Sequence, residues 1–333
     1  MYTEYYHLSG MPFQLTPDNR FFFDSSVHSR AIAHLVYGLS QQEGFIIITG
    51  EVGAGKTTLV EQLWSRLDRQ TYIIARIVTT QVSGDDLLRL AASSFGLHEP
   101  NADKSTLLRG LEEIFREHRA VGRRCLLVVD EVQNLSFAAL EELRMLSNIT
   151  IDGSASLQTI LLGQPQFRAM LGSPDLDQLR QRVLAAYHLG PLNQEETREY
   201  IVHRLRTAGW TDNPVFEDEA FDAVFRHTDG VPRRINTLCS RVLLYGAIEG
   251  LSVITDKVVD DTAADLKRDL GTVSEYREPA QVNGDTSHAS LHAMMPRIEA
   301  LEAGAARQER IFRRLLDLLS AYAVPQSPPD APP

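Results

Sequence analysis

The chain has 333 residues, enough for one large or two ordinary domains, and its 43% apolar content is normal for a globular protein. A formal charge of −11 at pH 7 disfavours a general electrostatic grip on nucleic acid or on an anionic membrane, leaving room only for a local basic patch. The N-terminus has no basic start followed by an apolar block, and no window approaches about 18 to 20 uninterrupted apolar residues, so neither a leader nor a spanning helix is expected.

Residues 1–27 are aromatic and punctuated by proline (Tyr5, Tyr6, Pro12, Phe13, Pro17, Phe21, Phe22, Phe23), which suits an ordered segment laid over a core. Such a segment can wall a base pocket or simply pack. Ser25 or Ser26 can cap a helix running to about Gln41, with Ile32, Leu35, Val36 and Leu39 along one side. Phe45–Thr49 then reads as a buried parallel strand, too short for a membrane and too β-branched for a helix.

The strand runs into Gly50, Glu51, Val52, Gly53, Ala54, Gly55, Lys56, Thr57 and Thr58, which contain the pattern G-x-x-x-x-G-K-[ST]. Gly50, Gly53 and Gly55 are expected to take positive φ and aim successive N–H groups into one anion-sized concavity. Lys56 is expected to reach the β/γ-phosphates, and Thr57 to bind Mg²⁺. A helix over Thr58–Leu67 would offer its positive N-terminus to the same anion.

A second strand is predicted over Tyr72–Thr79, and helices over Gly84–Phe95 and Lys104–Val121. CLLVVDE, Cys125–Glu131, is the expected partner of the phosphate loop: Asp130 at the strand end holds Mg²⁺ through water and Glu131 polarises the attacking water. Cys125 and Cys239 are the only cysteines and read as buried reduced thiols rather than a disulfide or metal site. After a helix over Ser136–Ser147, Leu157–Gly163 forms another strand, ending at Gln164. That amide either orients water beside the γ-phosphate or merely caps the next helix. Arg180 and Arg182 precede a short strand, Tyr187–Leu189; they are either a solvated face or the place from which an arginine finger reaches a neighbouring subunit, with Arg182 preferred.

From Asn193 the pattern changes to helices only: Gln194–Ala208, Asp218–His227, Pro232–Glu249 and Asp256–Leu270. GVPRRIN opens the third of these, and Arg233 or Arg234 can face the phosphates or lie on the surface. The expected organisation is therefore a segment 1–27, a nucleotide-binding domain 28–192, a helical domain 193–270, a linker 271–289, a helix 290–323 and a proline-rich tail 324–333. Met294, Ile298, Leu301, Ala305, Gln308, Phe312, Leu315, Leu319 and Tyr322 recur in steps of four and three, fitting a coiled coil, a partner-docking helix, or a helix folded onto its own body.

GEVGAGKTTL, LLVVDEVQNL, LEELRMLSN, ILLGQPQF, LRQRV and GVPRRIN, in that order, together with PFQLTPDNRFFF and YHLGPL, resemble the bacterial secretion ATPases of the general secretion pathway protein A type over residues 1 to about 268. The sequence is most similar to the members that accompany exosortase, PEP-CTERM and exopolysaccharide systems. The resemblance implies an AAA+ fold: a five-stranded parallel αβα sandwich with a small all-helical lid, often assembled into rings in which the finger acts in trans. It implies ATP and Mg²⁺ at Lys56, Thr57, Asp130 and Glu131, Gln164 as the first sensor, Arg182 with Arg180 in reserve as the finger, and Arg233 as the second sensor. DEVQ stands where the family has DEAQ, a change expected to point into the core. Unlike longer members, the chain is not expected to carry a transmembrane segment or a peptidoglycan-binding domain. It should then work in the cytoplasm as a homo-oligomer, meeting the membrane only through an envelope or polysaccharide-assembly partner at residues 290–322. Two other readings remain, a nucleic-acid-associated ATPase of the transposition or replication-initiator kind and a slow nucleotide-gated scaffold.

Overall fold

The computed structural model describes residues 2–271 other than 17, 69, 79–81 and 100, so the predicted linker, the helix of residues 290–323 and the tail lie outside the described residues. Its strands in chain order are β1 (Phe45–Gly50), β2 (Tyr72–Val78), β3 (Arg124–Asp130), β4 (Thr150–Ile151), β5 (Ser154–Ala155), β6 (Leu157–Gly163), β7 (Val183–Leu189), β8 (Val215–Phe216) and β9 (Val253–Ile254). The helices are α1 (Tyr2–Tyr5), α2 (Ser26–Ser40), α3 (Lys56–Arg66), α4 (Gly84–Ser94), α5 (Lys104–Ala120), α6 (Phe137–Leu146), α7 (Pro165–Leu171), α8 (Asp177–Arg180), α9 (Gln194–Thr207), α10 (Asp218–Thr228), α11 (Pro232–Glu249) and α12 (Asp256–Gly271).

Five parallel strands form the main sheet in the order β2-β3-β6-β1-β7. Successive side chains of a strand point to opposite faces, so β1 feeds two cores at once. Phe45 and Ile47 join the cluster made with α4, α5 and α6, while Ile46 and Ile48 join the one made with α2 and α3. Burial on both faces is why the strand reads as a continuous apolar run. Side-chain oxygens set the helix starts: the Ser25 hydroxyl accepts from the N–H of His28 to begin α2, and the Asp103 carboxylate and Ser136 hydroxyl do the same for α5 and α6.

Two elements depart from expectation. The predicted three-residue strand before Leu189 is the seven-residue β7, whose edge position leaves it only partly buried and its apolar pattern weak. The lid is not purely helical: the segments after α9 and α11 run side by side, Val215 N–H donating to Ser252 O and Glu217 N–H to Ile254 O, which clips β8 to β9 in parallel.

The N-terminal segment packs chiefly on the lid. Tyr2, Tyr6, Leu8 and Phe13 sit in one cluster with α9, α10, α11 and α12. Arg204 of α9, only 7% exposed, donates to Pro12 O at 2.5 Å, to Gln14 O at 3.4 Å and to the Tyr200 hydroxyl at 3.0 Å. Glu196 of α9 caps two helices with one carboxylate: Oε2 accepts from Asn193 N–H in its own capping box, and Oε1 accepts from Ser26 N–H at the start of α2. Lid and sheet domain are thereby joined beside the end of β1.

Candidate active site

Between the last residue of β1 and the first of α3 the backbone must reverse within five residues. Gly53 and Gly55 do this with φ of 84° and 97°, a region that costs glycine nothing and other residues about 1–2 kcal/mol. A Cβ on Gly53 would lie 2.2 Å from Cβ of Arg233, so glycine there also lets the lid helix α11 dock on the loop, and Arg233 N–H donates to Gly53 O at 3.2 Å. Gly50 does not take the expected positive φ. A side chain at that position is blocked instead by Leu189 O, 2.7 Å from where its Cβ would sit.

The loop lines a cavity of about 300 Å³ whose walls include Val52, Thr57, Thr58, Glu131 and Arg233. Val52 is half exposed at its rim, whereas Ala54 is buried and its N–H closes the turn onto Glu51 O at 3.1 Å. Lys56, 7% exposed, curls over the loop and donates to Gly50 O at 2.7 Å and Glu51 O at 3.0 Å. Burial pushes its ammonium below the usual lysine range, opposed by the nearby carboxylates of Glu131, Asp130 and Glu51.

Thr57 Oγ1 donates to Asp130 Oδ2 at 3.0 Å, setting two hard oxygen donors side by side, and Arg76 Nη2 lies 3.3 Å from the same Oδ2. The adjacent acids do different things because the strand stops between them. Asp130 is the last residue of β3, and Glu131 turns left-handed with φ 53°. Asp130 therefore serves Thr57, while Glu131 faces the cavity and the tip of β6.

Gln164 Nε2 donates to Glu131 Oε2 at 3.1 Å and makes no side-chain cap on α7, so it serves the acid rather than the helix end. Gln133, which the sequence reading did not single out, completes the arrangement. Its Nε2 donates to Glu131 Oε2 at 2.5 Å and its Oε1 accepts from Gln164 N–H at 2.9 Å. Val132 between them is fully buried against Gly163, as expected of the DEVQ variation. The only hint of Gln133 in the sequence was an amide two residues beyond the acid.

Of the second arginine pair, Arg233 faces the cavity and Arg234 is an exposed partner of Asp229 at 3.0 Å. Arg182 and Arg180 do not reach the site. Arg182 O accepts from Phe45 N–H at the foot of β1, and five steps of about 3.3 Å each put that foot about 17 Å from Gly50, where the phosphate loop begins. Arg182 Nη1 is held by Ser147 Oγ at 3.1 Å; Arg180 is half exposed and pairs with Asp177 at 2.6 Å.

Cys125 and Cys239 are buried free thiols in separate cores, and burial pushes the Cys125 thiol up to about 12. No helix among the described residues is long and apolar enough to cross a membrane.

A parallel sheet of this order, a glycine loop carrying Lys56 and Thr57, and the Asp130–Glu131 pair at the neighbouring strand end define a P-loop nucleoside triphosphatase of the AAA+ class. Comparison with known proteins agrees. The AAA domain family matches residues 39–171. General secretion pathway protein A of Aeromonas hydrophila is 37% identical over 278 residues, 82% of this chain and 50% of that protein. An uncharacterized HTH-type transcriptional regulator of Methanocaldococcus jannaschii is 25% identical over 192 residues, 56% of this chain and 45% of that one. The chain thus spans about half the length of the curated relatives it matches. Among solved structures, CDC6P from Pyrobaculum aerophilum aligns with a TM-score of 0.60 at 16% identity, over 75% of this chain and 71% of that one. The Aeropyrum pernix ORC2 protein in its ADPNP–ADP complexes aligns with 0.56 at 17%, over 75% and 72%. At such identities these two share the fold. Residues 39–171 thus belong to the AAA domain family, and the chain is related to general secretion pathway protein A.

Proposed function

We propose that the cavity hydrolyses ATP to ADP and phosphate. The observation that carries this reading is that Glu131, held by Gln164 33 residues on, lies at one cavity with Lys56, Thr57 and Arg233. Thr57 Oγ1 and, through water, Asp130 are suited to hold Mg²⁺, which when bound would neutralise phosphate charge. Lys56, released from the loop carbonyls, would reach the β/γ-phosphates, and Arg233 would approach them from the lid. With its Oε2 occupied by two amides, Glu131 keeps Oε1 to accept a proton from the attacking water. Glu131→Gln is expected to bind ATP normally and lose turnover; unchanged turnover in the purified variant would remove Glu131 from that role.

Because Arg182 sits at the foot of β1, about 17 Å from the start of its own loop, any contact it makes with a phosphate would be with that of another copy, which supports a ring with Arg182, or Arg180, as a finger in trans. The identity to general secretion pathway protein A supports a role in the cytoplasm beneath the envelope, energising a secretion, exopolysaccharide or exosortase/PEP-CTERM assembly reached through residues 290–322. The relative described as an HTH-type regulator favours a second reading, a nucleic-acid-associated ATPase. DNA retention with ATP that falls steeply with salt would select the second reading over the first.

A further inference from the structure

His28 is the third residue of α2, at the sheet domain's boundary with the lid, and the residue is only 7% exposed. Two neighbours fix the ring. Ser25 Oγ lies 2.7 Å from Nδ1, and Phe22 meets the ring edge-on at 5.8 Å and 86°. Nε2 points away from both, against the phosphate loop: a Cβ on Gly55 would sit 2.8 Å from it. The ring forms part of the cavity wall, and Nε2 has no hydrogen-bond partner among the described residues. Its position in the cavity wall beside the phosphate loop leaves that nitrogen to whatever occupies the cavity.

The network also offers Nδ1 a donor. Ser25 Oγ accepts from His28 N–H and keeps its hydroxyl hydrogen to donate to Nδ1, and in the tautomer with that bond the ring proton stands on Nε2. Burial holds the imidazole below the usual histidine range, against the raising influence of Asp24 and Glu196, so the ring is neutral at pH 7.

Direction within the cavity follows from the sheet. Glu131, held by Gln164 at the tip of β6, enters from the β3–β6 side and marks the end of the nucleotide that reacts. His28 enters on α2, which packs on β1 and β7 across the loop, at the residue where α3 begins. A nucleotide whose terminal phosphate faces Glu131 presents its α-phosphate and ribose to that side. We propose that His28 is a nucleotide-recognition residue whose Nε2–H donates to the α-phosphate–ribose part of the bound nucleotide, and this rests on the ATP reading above.

The test is equilibrium binding of ADP and 2′-deoxy-ADP to the full chain, wild type against His28→Ala, His28→Gln and Lys56→Ala, with the melting temperature of each variant taken without nucleotide. His28→Ala is expected to weaken ADP about ten- to a hundredfold, the range for losing a hydrogen bond to a charged or buried partner. His28→Gln, which can place an amide N–H near the position of Nε2, is expected to recover part of the loss. If the acceptor is the 2′-hydroxyl, wild type binds the deoxy compound less well and His28→Ala makes it no worse. If it is the α-phosphate, the variant weakens both nucleotides equally. ADP affinity within twofold of wild type in a folded His28→Ala chain overturns the proposal, whatever its melting temperature. Ring ¹⁵N spectra of the wild type need no variant to fold: one neutral Nε2–H signal should move on adding ADP, and ten unmoved histidines would overturn the proposal equally. Wild type that binds no ADP at all, by contrast, removes the ATP reading itself.

Discussion

Gln133 offers the most direct examination of how the site works. Its amide is pinned at both ends, Oε1 by the N–H of Gln164 and Nε2 by the carboxylate of Glu131, so it cannot flip without breaking two bonds. Gln133→Leu keeps the apolar stem and removes both. A hydrogen bond to a charged group contributes about 1.5–3 kcal/mol, and Glu131 would keep only the donor from Gln164. If the lost bond orients the carboxylate during reaction, the barrier rises by that amount, a fall in kcat of about ten- to 150-fold at 1.36 kcal/mol per decade. Gln133 does not line the cavity, so KM and ADP affinity should stay near wild type. Gln133→Glu is a second probe: one oxygen still accepts from Gln164 N–H, while the other faces a like charge, and the loss should be at least as large. Single-turnover hydrolysis at saturating ATP, with ADP binding alongside, measures both quantities. A kcat within threefold of wild type in both variants would refute the orienting role, and a kcat above wild type would mean that the contact withholds Glu131 instead.

Three further outcomes are expected. Gly230→Ala would place Cβ 1.9 Å from Leu192 O at a φ of +69°, whereas Gly122→Ala, at φ +76°, meets nothing within 4 Å. The second should lose only the left-handed cost of about 1–2 kcal/mol and the first clearly more, so equal urea midpoints would contradict the docking of the α10–α11 turn on the segment between β7 and α9. Arg182→Ala should lose ATPase activity that mixing with Lys56→Ala subunits partly restores, and no rescue at any ratio would argue against a finger in trans. Stability should fall as pH drops from 7.5 to 5. His28, His188 and His203 are lowered, chiefly by burial, so the unfolded chain binds more protons below its histidine value of about 6.5. Glu196 adds a loss at lower pH: burial raises its carboxyl, but the Ser26 and Asn193 N–H bonds outweigh it, and that stability disappears as the carboxylate protonates. A urea midpoint that rises on acidification would show the sign to be wrong.

The sequence by itself determined the parts whose chemistry is local. A phosphate loop is a run of consecutive backbone N–H groups shaped by glycines and followed by a helix, so Gly53, Gly55, Lys56 and Thr57 were readable within one stretch, as was an acid at the end of a strand buried on both faces. Edge strand β7 was read at less than half its length because a half-exposed strand has no continuous apolar run. Gly50 was misjudged because two reasons for glycine, left-handed φ and close approach, look identical in a sequence, and only the position of Leu189 separates them. The contacts that turn the loop into a site join residues far apart in the chain: Gln133 and Glu131 with Gln164, Arg233 with Gly53, His28 with Gly55, Glu196 with Ser26. Each depends on strand order and on how the lid docks. No periodicity records such long-range geometry, so the tertiary structure alone decided which glutamines hold Glu131, which arginine faces the loop and which histidine nitrogen faces the cavity.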